Sequence, residues 1–298
     1  VGYDIVATPT QITASIKEDF MREFGALTQG IGAKNVMSKR TLQSFAGKAN
    51  HIANLLRAWR PFLDSLWAAL YCGRPSWAPK GMIWTSQVRR TLSWLLCFLS
   101  LQHGPLSKTW ELASYEGDAQ DVTFYLDASP YSLAGILVVD GWPVQYFTSP
   151  LSHHDAAIHR KKLGDSSGQQ VWESLAVLVA LTVWFPFWSD RRCCFTIKSG
   201  NTSALTLAGS LKGNTSLGLI AQKVSLLYCR AQYEPKLLSH IPGVTNVAAD
   251  ALSRLSDPAH AYAVPPWLQD CNCKEVEVPL RTTAFYSTLG SAKPSQVG

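Results

Sequence analysis

The sequence predicts an α/β fold: a mixed five-stranded sheet with flanking helices, preceded by a mostly helical subdomain. Three observations carry this prediction. Val122, Phe124 and Leu126 alternate with Thr123, Tyr125 and Asp127, the period of a strand with one buried face. Residues 171–185 are apolar on nearly all sides, which describes a buried helix rather than an amphipathic surface one. Residues 13–101 repeat their apolar side chains at helical spacing.

The first half reads as follows. Residues 1–12 are turn-rich and read as a tether to an upstream segment. Ile16, Phe20, Phe24 and Leu27 predict a helix over 13–27, ended by Gly30 and Gly32. Ser38 suits the N-cap of a second helix whose apolar face holds Leu42, Phe45, Ala49, Ile52, Ala53 and Leu56. Its other face carries Lys39, Arg40, Lys48 and Arg57. Trp59-Arg60-Pro61 breaks that helix, and helices over 62–71 and 86–101 follow across a Pro/Gly-rich turn at 73–81. Residues 1–105 thus form a helical subdomain with a basic face. Such a face is an ordinary solvated surface, or it neutralises nucleic-acid phosphates through Lys34, Lys39, Arg40, Lys48, Arg57 and Arg60. Gly104-Pro105 closes this half, and the polar residues 106–120, with Glu111, Glu116 and Asp118, read as a linker.

The strand over 121–127 ends at Asp127, followed by the turn residues Ala128-Ser129-Pro130. Strands over 134–139 and 144–148 complete a meander, joined by the hairpin dipeptide Asp140-Gly141. Asp127 either caps a turn or presents a carboxylate from a rigid strand end, as a metal ligand requires. Residues 149–170 are polar and read as a surface loop with one turn of helix, with His153 and His154 on the surface and a basic run at Arg160-Lys161-Lys162. In the buried helix Glu173 is the one acid, and an unpaired buried charge is costly, so it needs a partner. Pro186 ends the helix. A strand over 192–198, a turn at Ser199-Gly200-Asn201-Thr202, helices over 203–208 and 217–231, a strand over 233–241 and a helix over 246–255 holding Asp250 complete the order. Residues 257–298 are Pro-punctuated and aperiodic, an extended or disordered tail.

Composition narrows the function. The 298 residues are 47% hydrophobic and 16% charged, enough for a sizeable core in one or two domains. A net charge of +6 is compatible with a polyanionic partner. Seven Cys, an odd number, give neither a disulfide framework nor paired zinc ligands; Cys271-x-Cys273 has no partner pair. This favours a reducing, intracellular compartment, cytoplasmic or nuclear. No signal peptide is evident, and the apolar run over 92–101 is too short to span a membrane. The start at Val1 leads us to expect a piece of a longer polypeptide.

Three runs carry a family likeness: Tyr125-Leu126-Asp127-Ala128-Ser129, Trp172-Glu173-Ser174-Leu175-Ala176, and His240-Ile241-Pro242-Gly243-Val244-Thr245-Asn246 leading into Ala249-Asp250-Ala251-Leu252-Ser253-Arg254. Residues 121–256 resemble the ribonuclease H segment of retrotransposon Pol polyproteins. The helical half more weakly resembles the thumb and connection region of reverse transcriptases, through Phe45-Ala46-Gly47-Lys48 and Trp59-Arg60-Pro61-Phe62-Leu63. No Tyr-x-Asp-Asp motif occurs, so the polymerase palm lies outside the chain.

The resemblance implies Mg²⁺-dependent hydrolysis of the RNA strand of RNA–DNA hybrids, with Mn²⁺ as a substitute. It makes Asp127, Glu173 and Asp250 the metal ligands and catalytic residues, and adds Asn201 to the nucleic-acid-binding residues Lys39, Arg40, Lys48 and Arg57. An upstream polymerase domain is the implied partner. The family pattern places a further Asp before Asn201, where this chain has Gly200. Loss of that carboxylate opens an alternative: a degenerate module that binds nucleic acid and cuts poorly.

Overall fold

A computed structural model describes residues 2–71, 79–115, 119–189, 193–212, 217–231, 237–242, 245–259 and 261–287. Most of the expected turn at 73–81, Glu116, Asp118, residues 233–236 and residues 288–298 lie outside them. The chain divides into two compact units, 1–117 and 118–298. No helix among the described residues is long and apolar enough to cross a membrane.

The first unit holds β1 (Tyr3–Ala7), β2 (Gln11–Ile16), α1 (Glu18–Gly32), β3 (Val36–Ser38), α2 (Lys39–Leu55), α3 (Arg60–Tyr71), β4 (Met82–Trp84), α4 (Arg89–Leu99) and β5 (Ser107–Glu111). It is less helical than the sequence predicts. Residues 2–12 are not a turn-rich tether: β1 pairs antiparallel with β2. The predicted helix start at residue 13 is strand instead, because Ala14 and Ile16 alternate into the core, and Ile16 stands four residues before Phe20 of α1 by coincidence. Nor is 106–120 simply a linker, since β5 pairs with β2. As an edge strand with half-exposed faces it carries the polar composition of a loop. Helix α2 is capped as expected, by the Ser38 hydroxyl accepting from the Thr41 N–H at 3.0 Å. Phe24, Phe45, Trp59, Phe62, Trp94 and Phe98 form the aromatic core of this unit.

The second unit is a mixed α/β structure. Its strands are β6 (Gln120–Ala128), β7 (Ser132–Val139), β8 (Trp142–Pro150), β9 (Cys193–Ser199), β10 (Leu237–His240) and β11 (Lys274–Glu275), in the order β10-β9-β6-β7-β8-β11. β6, β7 and β8 form the antiparallel meander. β9 joins β6 in parallel and β10 joins β9 in parallel. The register sets Leu126 beside Ser199 and Asp127 opposite Ala134. Gly135 is required where it stands, because a Cβ there would lie 2.6 Å from the Phe147 ring and 2.8 Å from Leu126.

The helices are α5 (His153–His159), α6 (Gln169–Val183), α7 (Phe185–Trp188), α8 (Thr202–Ser210), α9 (Gly218–Arg230), α10 (Val247–Ser253), α11 (Pro266–Asp270) and α12 (Thr283–Tyr286). α6 buries every residue from Val171 to Leu181 between the sheet and its neighbouring helices. Pro186 does not merely end α6. It opens α7, where its missing N–H costs nothing in a first helical turn.

Residues 257–287 are not an extended or disordered tail. β11 adds a sixth strand, parallel to β8. Arg281 is buried and paired with buried Asp155, Nη2 to Oδ2 at 3.0 Å and Nε to Oδ1 at 3.1 Å. The guanidinium also donates to the Pro150 carbonyl at 2.7 Å and to the Ser149 hydroxyl, and the Tyr286 hydroxyl donates to Asp155. Asp155 further belongs to the capping box of α5 with Ser152. The ring of His154, expected on the surface, lies 6.0 Å from that of Tyr286, and its Nε2 is buried.

Burial pushes the Asp155 carboxyl up, but hydrogen bonds from Arg281, Tyr286 and the Ser152 backbone N–H pull it below the ordinary carboxylate range. A depressed folded-state pKa stabilises at neutral pH, and that stabilisation is lost as pH falls through the folded value. Arg281→Met strands a buried carboxylate and is expected to cost about 3–5 kcal/mol in urea denaturation at pH 7, with the gap to wild type narrowing in acid. A variant as stable as wild type at pH 7 contradicts the pairing.

Candidate functional site

Three elements of the second unit bring the candidate acids together. Asp127 is the penultimate residue of β6, an interior strand. Glu173 lies in the second turn of α6, 6% exposed. Asp250 lies on α10, half-exposed. α10 is fixed to the end of β6 and the turn after it by three bonds. The Asn246 amide donates to the Leu126 carbonyl at 3.0 Å, Ser129 Oγ donates to the Ser253 carbonyl at 2.6 Å, and Ser253 Oγ donates to Asp127 Oδ2 at 2.7 Å.

Glu173 is held from two strands and from its own helix. Ser199 Oγ of β9 donates to its Oε2 at 3.3 Å, and the Gln169 amide one turn earlier donates to its Oε1 at 3.1 Å. The same Gln169 amide reaches the Ala128 carbonyl of β6, and the Ala128 N–H bonds Glu173. A lone acid in an apolar helix thus finds its partners in the residue beside Asp127 and on the adjacent strand.

The electrostatics follow. Burial and the neighbouring Asp127 charge raise the Glu173 carboxyl well above its ordinary value, against the pull of its hydrogen bonds. Burial and the Asp250 charge raise Asp127, opposed by the Ser253 hydrogen bond and the field of Arg254. Asp127 therefore lies between two acids that both repel it. Asp250 itself is engaged by Arg254, Nε to Oδ1 at 2.9 Å.

Among the described residues no group of three or more His, Cys, Asp or Glu side chains is arranged to hold one metal ion. The chemistry of the donor set nevertheless suits a hard divalent cation. It offers carboxylate oxygens only, and a cation would offset both the burial and the repulsion that raise Asp127 and Glu173.

Gly200 brings no carboxylate, and the Ser199 hydroxyl occupies Glu173 instead. A Cβ at Gly200 would meet only the Ile241 carbonyl, at 3.7 Å, so a side chain fits there. Asn201 caps α8, its Oδ1 accepting from the N–H groups of Ser203 at 2.9 Å and Ala204 at 3.1 Å. In the first unit Lys34, Lys39 and Arg40 are exposed. Lys48 pairs with Glu23, Arg60 Nε donates to the Ala53 carbonyl at 3.3 Å, and Arg57 is half-buried. The predicted basic face is therefore open at Lys34, Lys39 and Arg40, while Lys48 and Arg60 are occupied within the fold. Sequence pattern alone does not single out Ser199, Gln169, Asn246, Ser253 and Arg254 as site residues. Asn246, Ser253 and Arg254 lie inside the motif around Asp250, which is the one signal that points to them.

No family model matches the sequence, and no curated protein matches it. Two solved structures show a structural likeness, each at 14% identity and a TM-score of 0.27 over 80% of this chain. They are the foamy viral protease-reverse transcriptase dRH in complex with ds DNA and the foamy viral protease-reverse transcriptase in complex with RNA/DNA hybrid. The chain spans 38% and 29% of their lengths. A likeness at that level says nothing about activity.

A raised folded-state pKa favours the protonated acid, so its contribution to stability is present below the ordinary carboxylate range and lost as pH rises through the folded value. In metal-free buffer the second unit is expected to lose stability from pH 5 to pH 8. Glu173→Gln should flatten that slope and gain at least about 1 kcal/mol at pH 8, a tenfold change in proton affinity being worth about 1.4 kcal/mol. Denaturant melts with a chelator present measure this, and an unchanged slope contradicts the coupling.

Proposed function

We propose that the second unit is the ribonuclease H portion of a retroelement reverse transcriptase, hydrolysing the RNA strand of RNA–DNA hybrids with Mg²⁺. The observation that carries this reading is the gathering of Asp127, Glu173 and Asp250 at one strand end: Ser253 of α10 bonds Asp127, Asn246 ties α10 to β6, and Ser199 and Gln169 hold Glu173 beside it. The strand order, with its antiparallel meander extended in parallel by β9 and β10, supports it.

Asp127 would be common to two cations, one shared with Asp250 and the other with Glu173, because its neighbours on either side are those two acids. Bound Mg²⁺ supplies charge stabilisation at the attacking and leaving oxygens of the phosphodiester. The chain's own groups prepare this. Ser253 and Ser199 hold carboxylate oxygens of Asp127 and Glu173 in one orientation, and the α6 packing keeps water from Glu173. Preorganised charge costs no rearrangement at the moment of reaction. Choice of RNA rests on 2′-hydroxyl contacts; the side-chain carbonyl of Asn201 is spent on capping α8, which leaves its amide N–H groups for that purpose. On this reading the first unit joins the nuclease to an upstream polymerase, with Lys39 and Arg40 contacting phosphates.

A second reading, a hybrid-binding module with weak cleavage, is favoured by Gly200 and by the Arg254 bond to Asp250. A labelled RNA–DNA hybrid with Mg²⁺ or Mn²⁺ separates the two. The nuclease reading expects slow cutting that Asp127→Asn abolishes. It also expects Gly200→Asp to raise the rate about tenfold or more, since each carboxylate on the charge-developing side strengthens transition-state stabilisation. Binding without cutting, in both wild type and Gly200→Asp, contradicts the nuclease reading.

A further inference from the structure

We propose that Arg254 is a built-in counter-cation of this site, holding Asp250 in the metal-free chain and yielding it when a divalent cation binds. The inference rests on the metal-dependent reading above and concerns how the site is regulated.

Arg254 follows α10 as its C-cap residue, where a cation meets the negative end of the helix dipole. One turn back, its Nε donates to Asp250 Oδ1 at 2.9 Å. Its field also reaches Asp127 and acts there against that of Asp250. One guanidinium thus offsets charge on two of the three acids, while Glu173 is left to hydroxyl, amide and backbone donors. The pair is built to be displaced. The side chains of Arg254 and Asp250 remain 42% and 38% exposed, and exposed ion pairs of this kind are weak. A divalent cation carries twice the charge and needs no side-chain ordering. While it bonds Asp250, the guanidinium already stands 5.9 Å from the centroid of the Tyr262 ring, a contact it need not give up when Asp250 is released. An ordinary helical pair remote from any site would have no effect on Asp127.

The test is Mn²⁺ binding to the full chain by isothermal titration calorimetry, comparing wild type with Arg254→Gln, Arg254→Met and Arg254→Lys. Removing the charge should tighten Mn²⁺ binding about threefold or more, the size expected from losing a weak competing pair. Arg254→Lys should stay near wild type, because the charge does the competing. Two neutral variants guard against one folding poorly, and thermal melts identify it. Equal or weaker binding by a folded neutral variant overturns the proposal. If wild type binds Mn²⁺ and cuts hybrid while the neutral variants match its affinity, this inference alone fails. If neither wild type nor variants bind Mn²⁺, the metal-dependent reading fails and takes the inference with it.

Discussion

Repulsion between carboxylates at the end of β6 is the constraint on which the rest of the second unit depends. Asp127 sits between Glu173 and Asp250, and burial on the Glu173 side leaves little water to soften the encounter. A fold tolerates such a cluster only if rigid donors surround it. Here they come from separate places in the chain: Ser199 from the adjoining strand, Gln169 from the preceding turn of α6, and Ser253 and Arg254 from the end of α10. The donors are neutral groups on the inside and a guanidinium on the outside, where solvent lowers the cost of charge.

Rigidity comes from packing on either side of that cluster. α6 is buried along most of its length against β6 and β7, so Glu173 cannot withdraw from the sheet without opening the core. α10 is pinned through Asn246 and Ser129 to the strand end and turn that present Asp127. On the far edge of the sheet β11 covers β8, and the Arg281–Asp155 pair ties the following segment to the start of α5. The two ion pairs differ in kind. Arg281 and Asp155 are sequestered and structural, whereas Arg254 and Asp250 are half in solvent and able to exchange partners.

Much of the second unit was legible because its signals are periodic. Val122, Phe124 and Leu126 alternate, all three are buried, and the strand they predict extends only one residue at each end beyond 121–127. The apolar run around Val177 is buried all round, as its composition requires. The acids were singled out by the resemblance of the runs around Asp127, Glu173 and Asp250, which says nothing of their partners. Ser199, Gln169 and Arg254 are single polar residues whose contacts depend on how β9, α6 and α10 meet. The same blindness hid Arg281, since one buried guanidinium has no period and lies among prolines that read as extended chain. In the first unit the spacing of Ile16, Phe20 and Phe24 imitated a helix across a strand-to-helix junction, and β5 was polar enough to pass for a linker.

On the nuclease reading, Asp127 shares divalent cations with its two neighbouring acids, Glu173 and Asp250. Anomalous diffraction from crystals soaked in Mn²⁺ tests it most directly. Mn²⁺ is expected on a carboxylate oxygen of Asp127, shared with Glu173 or Asp250, with the Arg254 guanidinium moved away from Asp250. Mn²⁺-saturated crystals with no metal at Asp127, and with Arg254 still bonded to Asp250, would contradict it.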